Sequence, residues 1–181
     1  DGRGAGTVDT CPFVALVDAV GLLGASSSWT ADDQCDLVAW FAAFLAWLVD
    51  SGPGREAAAE PDHIGTWYDV QVLAAALFTG HDEVAARVAA RAHLRIDAQV
   101  DPDGAQPHEL RRARALSYCA MNLLGLFDLA DLAAHCSADL WGHAGAGGRG
   151  LRRASDWLAA SAIDGLWGHR QNSPFDDGRW V

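Results

Sequence analysis

The chain has 181 residues, half of them apolar and a fifth charged, which is enough for a single domain over 1–181 with a real hydrophobic core. Its formal net charge of −11 speaks against nucleic acid as a partner, because phosphate binding needs a basic face. No stretch reaches the roughly 20 uninterrupted apolar residues of a membrane span, and the Asp1-Gly2-Arg3-Gly4 start lacks a secretory signal pattern.

The spacing of apolar residues is helical almost throughout. Thr10 and Pro12 read as a cap and first-turn proline, opening a helix to about Leu23 that closes near Gly24. After a loop at 26–29, Thr30 with Asp33 three residues on resembles a capping box and opens a second helix to about Val49. Leu37, Trp40, Phe41, Phe44, Leu45, Trp47 and Leu48 cover more than one face of it, as expected of a helix packed on two sides. Ser51-Gly52-Pro53-Gly54 ends that helix, and the segment to Gly65 reads as irregular.

A third helix is expected from about Thr66 to Phe78 with Gly80 at its C-terminus, and a fourth from Asp82 or Glu83 through Leu94. Asp101-Pro102-Asp103-Gly104 is a turn. Pro107 then starts a helix running without a break to about Phe127, with a further turn or two to His135. The glycine-rich stretch 142–150 reads as a loop, and no strand pattern precedes it as a phosphate-binding loop would require. Leu151 to Ala162 is a last helix, followed by a coil rich in Trp, Asp and Gly. No segment alternates with period two, so the class is all-α, built of antiparallel helical neighbours.

The four cysteines (Cys11, Cys35, Cys119 and Cys136) have no metal-ligand spacing, and no feature points to a cofactor. Cys119 and Cys136 read as buried thiols on apolar helices.

Three stretches place polar groups between helices. They are Glu60-Pro61-Asp62-His63-Ile64-Gly65-Thr66-Trp67-Tyr68-Asp69-Val70-Gln71; Arg95-Ile96-Asp97-Ala98-Gln99 with Asp103-Gly104-Ala105-Gln106-Pro107; and, directly after, His108-Glu109-Leu110-Arg111-Arg112-Ala113-Arg114-Ala115-Leu116-Ser117-Tyr118, then Met121-Asn122-Leu123. In this order they resemble the alginate lyase family of polysaccharide lyases. That family shows an Asn-Asn-His-Gly-x-Trp/Tyr-Tyr-Asp-x-Gln segment, then Asp-Gly-x-x-Pro-x-Glu-Leu-x-Arg, then a tyrosine two turns on. The resemblance runs from about Gly6 to Trp141. Such proteins are usually nearly twice this long, so the resemblance implies the C-terminal half of a toroid.

The resemblance implies a toroid of α/α hairpins, a cleft for an anionic polyuronate and β-elimination without a metal, in the periplasm or outside the cell. His63 matches the family's site histidine, Tyr118 the tyrosine that serves as acid and base, and Arg112 the motif arginine, with Arg111 as the alternative in a shifted register. Arg111, Arg114, Trp67 and Gln71 are expected to contact substrate. Asp62 stands where the family has asparagine, and an ionised aspartate cannot donate a hydrogen bond to a substrate carboxylate.

The chemistry can be reasoned separately. The C5 proton of a 4-linked uronate becomes acidic only if the adjacent carboxylate is neutralised by a donor or cation. Tyrosine is a poor base unless positive charge stabilises its phenolate. On one continuous helix Arg111 and Arg114 share a face with Tyr118, whereas Arg112 is turned away by about 120 degrees and need not touch it.

Two other functions compete. A carbohydrate-binding relative would keep the cleft without the chemistry, and a helical glycoside hydrolase would pair carboxylates among Asp62, Asp69 and Glu109. Taken singly, His63 reads as a surface or capping residue, Tyr118 as core and the arginines as a solvated face. Trp67, Trp141 and Trp167 are the candidates for stacking on sugar.

Overall fold

The structure is a computed structural model that describes residues 2–163 and 167–169. The expected coil at the C-terminus falls, apart from 167–169, outside the described residues. Eight α-helices follow in order: α1 Pro12–Leu23, α2 Ala31–Asp50, α3 Gly52–Ala59, α4 His63–Thr79, α5 Asp82–Gln99, α6 Pro107–Leu110, α7 Ala115–Ala134 and α8 Leu151–Ile163. Two 3-10 segments, Gly4–Thr10 and Ala146–Gly148, complete the regular structure, and no strand occurs among the described residues.

Helix α4 is the axis on which the rest is assembled. Every residue from His63 to Ala76 is buried, because α1, α2, α3, α5 and α7 all pack against it. Phe41, Leu45 and Leu48 of α2, Val88, Ala92 and Ile96 of α5, and Leu126 and Leu129 of α7 close the core around Val70 and Leu73. Small residues at Ala74, Ala75 and Ala76 let these neighbours approach closely on every side. The second helix is packed less fully than expected, since Trp40 and Trp47 are 48% and 43% exposed.

The helix ends show which expectations hold. The Thr30–Asp33 capping box is present in both directions. Gly80 takes the left-handed conformation (φ 71°) that closes α4. Differences arise where local and tertiary signals compete. The segment after Ser51 is helical, because the Ser51 hydroxyl accepts from the Gly54 amide and Pro53 suits a first turn. Helix α4 begins three residues early, at His63, because Asp62 caps it. Helix α5 runs on to Gln99, whose buried side chain bonds across to α4. The expected single helix after Pro107 is two helices, α6 and α7, with a turn at 111–114 between them.

Two stretches, Gly4–Leu23 and Ala115–Ala134, are long and apolar enough by composition to cross a membrane, which amends the sequence expectation. The isolated polar residues that interrupt each run do not lower its average below that of a span. Half of the Ala115–Ala134 stretch is buried inside the protein, so core packing accounts for it. The Gly4–Leu23 stretch is 11% buried, and Leu22 is 85% exposed. An open groove of about 1160 Å³ lies between α1 and the outer faces of α4 and α7.

Candidate active site

The corner between α3 and α4 sets the position of the site. Arg95 reaches across from α5, pairs with Asp69 at 2.9 Å and donates to the carbonyls of Glu60 at 2.8 Å and Ala58 at 3.2 Å. A side chain at Gly65 would overlap both the Glu60 carbonyl and this guanidinium, so glycine is required there. The clamp holds the chain immediately before Asp62.

Asp62 is then fixed from several sides. One carboxylate oxygen accepts from the Ile64 amide at 3.0 Å, capping α4. The other pairs with Arg112 Nη1 at 2.9 Å, and the Asp62 carbonyl accepts from Gln99 Nε2 at 3.1 Å. Gln99 Oε1 in turn accepts from Thr66 Oγ1 and Asn122 Nδ2, both at 2.9 Å. Asn122 Nδ2 also reaches Gln106 Oε1 at 2.9 Å, and Gln106 Nε2 donates to the Cys119 carbonyl at 3.0 Å. A buried polar net thus ties α4, α5, the start of α6 and α7 beneath the site, with Asn122 Oδ1 its one atom left without a partner.

On this base His63, Arg112 and Tyr118 meet. The His63 and Tyr118 rings lie 4.9 Å apart between centroids, and the Arg112 guanidinium sits 4.4 Å over the Tyr118 ring. The contact overturns the helical-wheel expectation that Arg112 need not touch Tyr118. The turn at 111–114 changes the direction of the chain and swings Arg112 onto the ring face. Arg111 and Arg114 were expected on the Tyr118 face; the break takes Arg111 out of that register, while Arg114 is the N-cap of α7 and its carbonyl accepts from the Tyr118 amide at 3.0 Å, and both residues are exposed.

Glu109, expected from the sequence only as a candidate glycosidase carboxylate, is the further residue at this cluster. It is 1% exposed, and its carboxylate accepts from the His63 amide at 2.6 Å and faces Nδ1 at 3.1 and 3.2 Å. The available signal was its place in the Glu-Leu-x-Arg motif. Asp62, His63 and Glu109 bring ligand-type atoms within 4.8 Å of one another, the one such group among the described residues. The Ile64 amide, Arg112 and His63 already occupy these carboxylates, so the cluster is a closed hydrogen-bonded unit.

The remaining candidates lie apart from it. Gln71 is buried and donates to the carbonyls of Thr7 at 3.0 Å and Trp67 at 3.1 Å, and its Oε1 accepts from Thr10, fastening the 3-10 segment to α4. Trp67 is buried in the core, with its indole donating to the Met121 carbonyl at 3.2 Å. Trp141 packs on Phe127 and bonds Asp131, a residue roughly 20 Å along α7 from Tyr118. Trp167 stacks edge-on with Trp157 of α8. Asp69 is taken up by Arg91 and Arg95, Asp62 by Arg112 and Glu109 by His63, so each of the three carboxylates of the glycosidase pairing is already engaged.

A model of the alginate lyase family matches residues 2–166. Among solved structures, the chain superimposes with a TM-score of 0.91 on an alginate lyase from Bacteroides ovatus, solved at 1.60 Å. The two are 30% identical over 97% of this chain and 47% of that one, so the chain spans about half the length of that relative. No curated protein matches.

Proposed function

The chain belongs to the alginate lyase family, and from that premise we propose that the cluster of Asp62, His63, Arg112 and Tyr118 cleaves alginate or a related polyuronate by β-elimination. The observation that carries the reading is that the Tyr118 ring contacts both His63 and the Arg112 guanidinium. In such a reaction the tyrosine oxygen takes the C5 proton as the C4–O4 bond breaks, a C4–C5 double bond forms, and a proton is returned to the departing O4. Arg112 sets a positive charge over the ring whose phenolate form takes the proton, and His63 brings a nitrogen acid or base to the same ring. Asp62 holds Arg112 in place and caps α4, a role that requires acceptors and not donors.

On this reading the partner is an anionic polysaccharide, met in the periplasm or outside the cell where such polymers lie. The protein's charge of −11 repels such a polymer at long range, so the local arginines must supply the attraction. The test is the ultraviolet absorbance of the unsaturated uronate, a product of elimination and not of hydrolysis. A signal that grows with polyuronate and is lost in Tyr118→Phe supports the proposal. A folded protein that binds polyuronate without forming the chromophore would be a carbohydrate-binding relative.

A further inference from the structure

We infer that Glu109 is a positioning residue: it fixes the proton on His63 Nδ1 and thereby makes Nε2 the nitrogen that meets reactants. The catalytic consequence rests on the lyase reading, but the protonation pattern does not. Glu109 lies on the short helix α6, 46 residues from His63, and is 1% exposed. A carboxylate so buried is very costly unless charge or hydrogen bonds compensate it. Its compensation comes from His63, through the backbone amide at 2.6 Å and Nδ1 at 3.1 and 3.2 Å.

An ionised carboxylate has only acceptors to offer. Nδ1 must therefore carry hydrogen, whether the ring is neutral or charged. A second carboxylate reinforces this, since Asp62 lies 3.9 Å from the same nitrogen. The geometry of the five-membered ring turns Nε2 away from Glu109. With the backbone amide and Nδ1 held by one carboxylate, the imidazole can neither flip nor exchange its nitrogens, and its contact with the Tyr118 ring is a single pose. The pose is independent of substrate, because each of these contacts joins two elements of the protein.

The test uses the intact chain with 15N-labelled histidine and long-range proton–nitrogen correlation spectra, which distinguish a protonated from a bare ring nitrogen. His63→Gln identifies the signals. Wild-type His63 is expected to show a protonated Nδ1. In Glu109→Gln the amide can accept from the ring or donate to it, so a population with bare Nδ1 and protonated Nε2 should appear. If the wild-type protein exhibits polyuronate elimination, kcat in Glu109→Gln should fall about 10- to 100-fold with little change in KM, the scale at which groups orienting a histidine act. A wild-type His63 with bare Nδ1 overturns the inference, as does a folded Glu109→Gln protein with the wild-type pattern. Absence of elimination in the wild-type protein removes the lyase reading but leaves the spectra to decide the role of Glu109.

Discussion

On the lyase reading, replacing Asp62 by asparagine removes one of the two carboxylates at the cluster, Asp62 and Glu109, that oppose an anionic substrate. The cap of α4 survives, since asparagine and aspartate serve equally well at that position. What is lost is the 2.9 Å pair with Arg112, whose side chain is a third exposed and can turn to water, so the cost in stability is about 1 kcal/mol or less. What is removed is a carboxylate beside Arg112 and His63. For a substrate carboxylate roughly 5 Å away, the repulsion at an effective dielectric near 20 is about 3 kcal/mol, and screening at a partly wet site reduces it to about 1–2 kcal/mol. The expected outcome is a KM for polyuronate lowered about 5- to 30-fold in Asp62→Asn, on the scale of about 1.4 kcal/mol per tenfold. Initial rates of unsaturated product against substrate concentration, at low and at high salt, measure it. The gain should shrink as salt rises. A folded Asp62→Asn protein with KM unchanged or raised at low salt would refute the reasoning, since it would mean that Asp62 and Arg112 act on substrate as a neutral pair.

Two further outcomes concern groups outside the site. Burial first, and the charge of Asp131 second, hold the Asp128 carboxyl above its ordinary range. The folded state therefore binds that proton more tightly than the unfolded state, and stability contributed by Asp128 is lost as pH rises through the raised value. Asp128→Asn should melt at a higher temperature than wild type at neutral pH, with the difference vanishing as pH falls towards the ordinary carboxyl range; a lower neutral Tm would contradict this. Burial also pushes the thiols of Cys11 and Cys119 from an ordinary 9.0 to about 12, leaving roughly a thousandth of the usual thiolate. Alkylation followed by peptide mass spectrometry should modify exposed Cys35 first, and labelling of Cys119 at a comparable rate in folded protein would contradict the burial.

Local chemistry was legible wherever the deciding partner lies within a few residues. Thr30 finds Asp33 one turn away, and Gly80 closes α4 by its own backbone freedom, so both ends could be read from the chain. The all-α class followed from periodicity, and the ordered motifs around His63, Glu109 and Tyr118 led to the family. The break at 111–114 could not be read in that way. No glycine or proline marks it, and arginine and alanine are good helix formers. It exists because Glu109 and Arg112 are each drawn to a partner on the α4 side, His63 in one case and Asp62 in the other, some 46 and 50 residues distant.

The same break explains why a helical wheel, unlike the motif, does not place Arg112 against Tyr118. A straight helix would direct Arg111 and Arg114 along the Tyr118 face and turn Arg112 aside. Asp62 reverses that choice by fixing Arg112 at 2.9 Å, from where its guanidinium covers the ring. In the sequence Asp62 is a departure that removes a donor; in the fold it is the anchor that delivers a cation to Tyr118. Whether a residue helps or opposes the reaction is thus decided by the partner it meets across the helix interface. For this site, that partner is set by a turn that only the tertiary structure specifies.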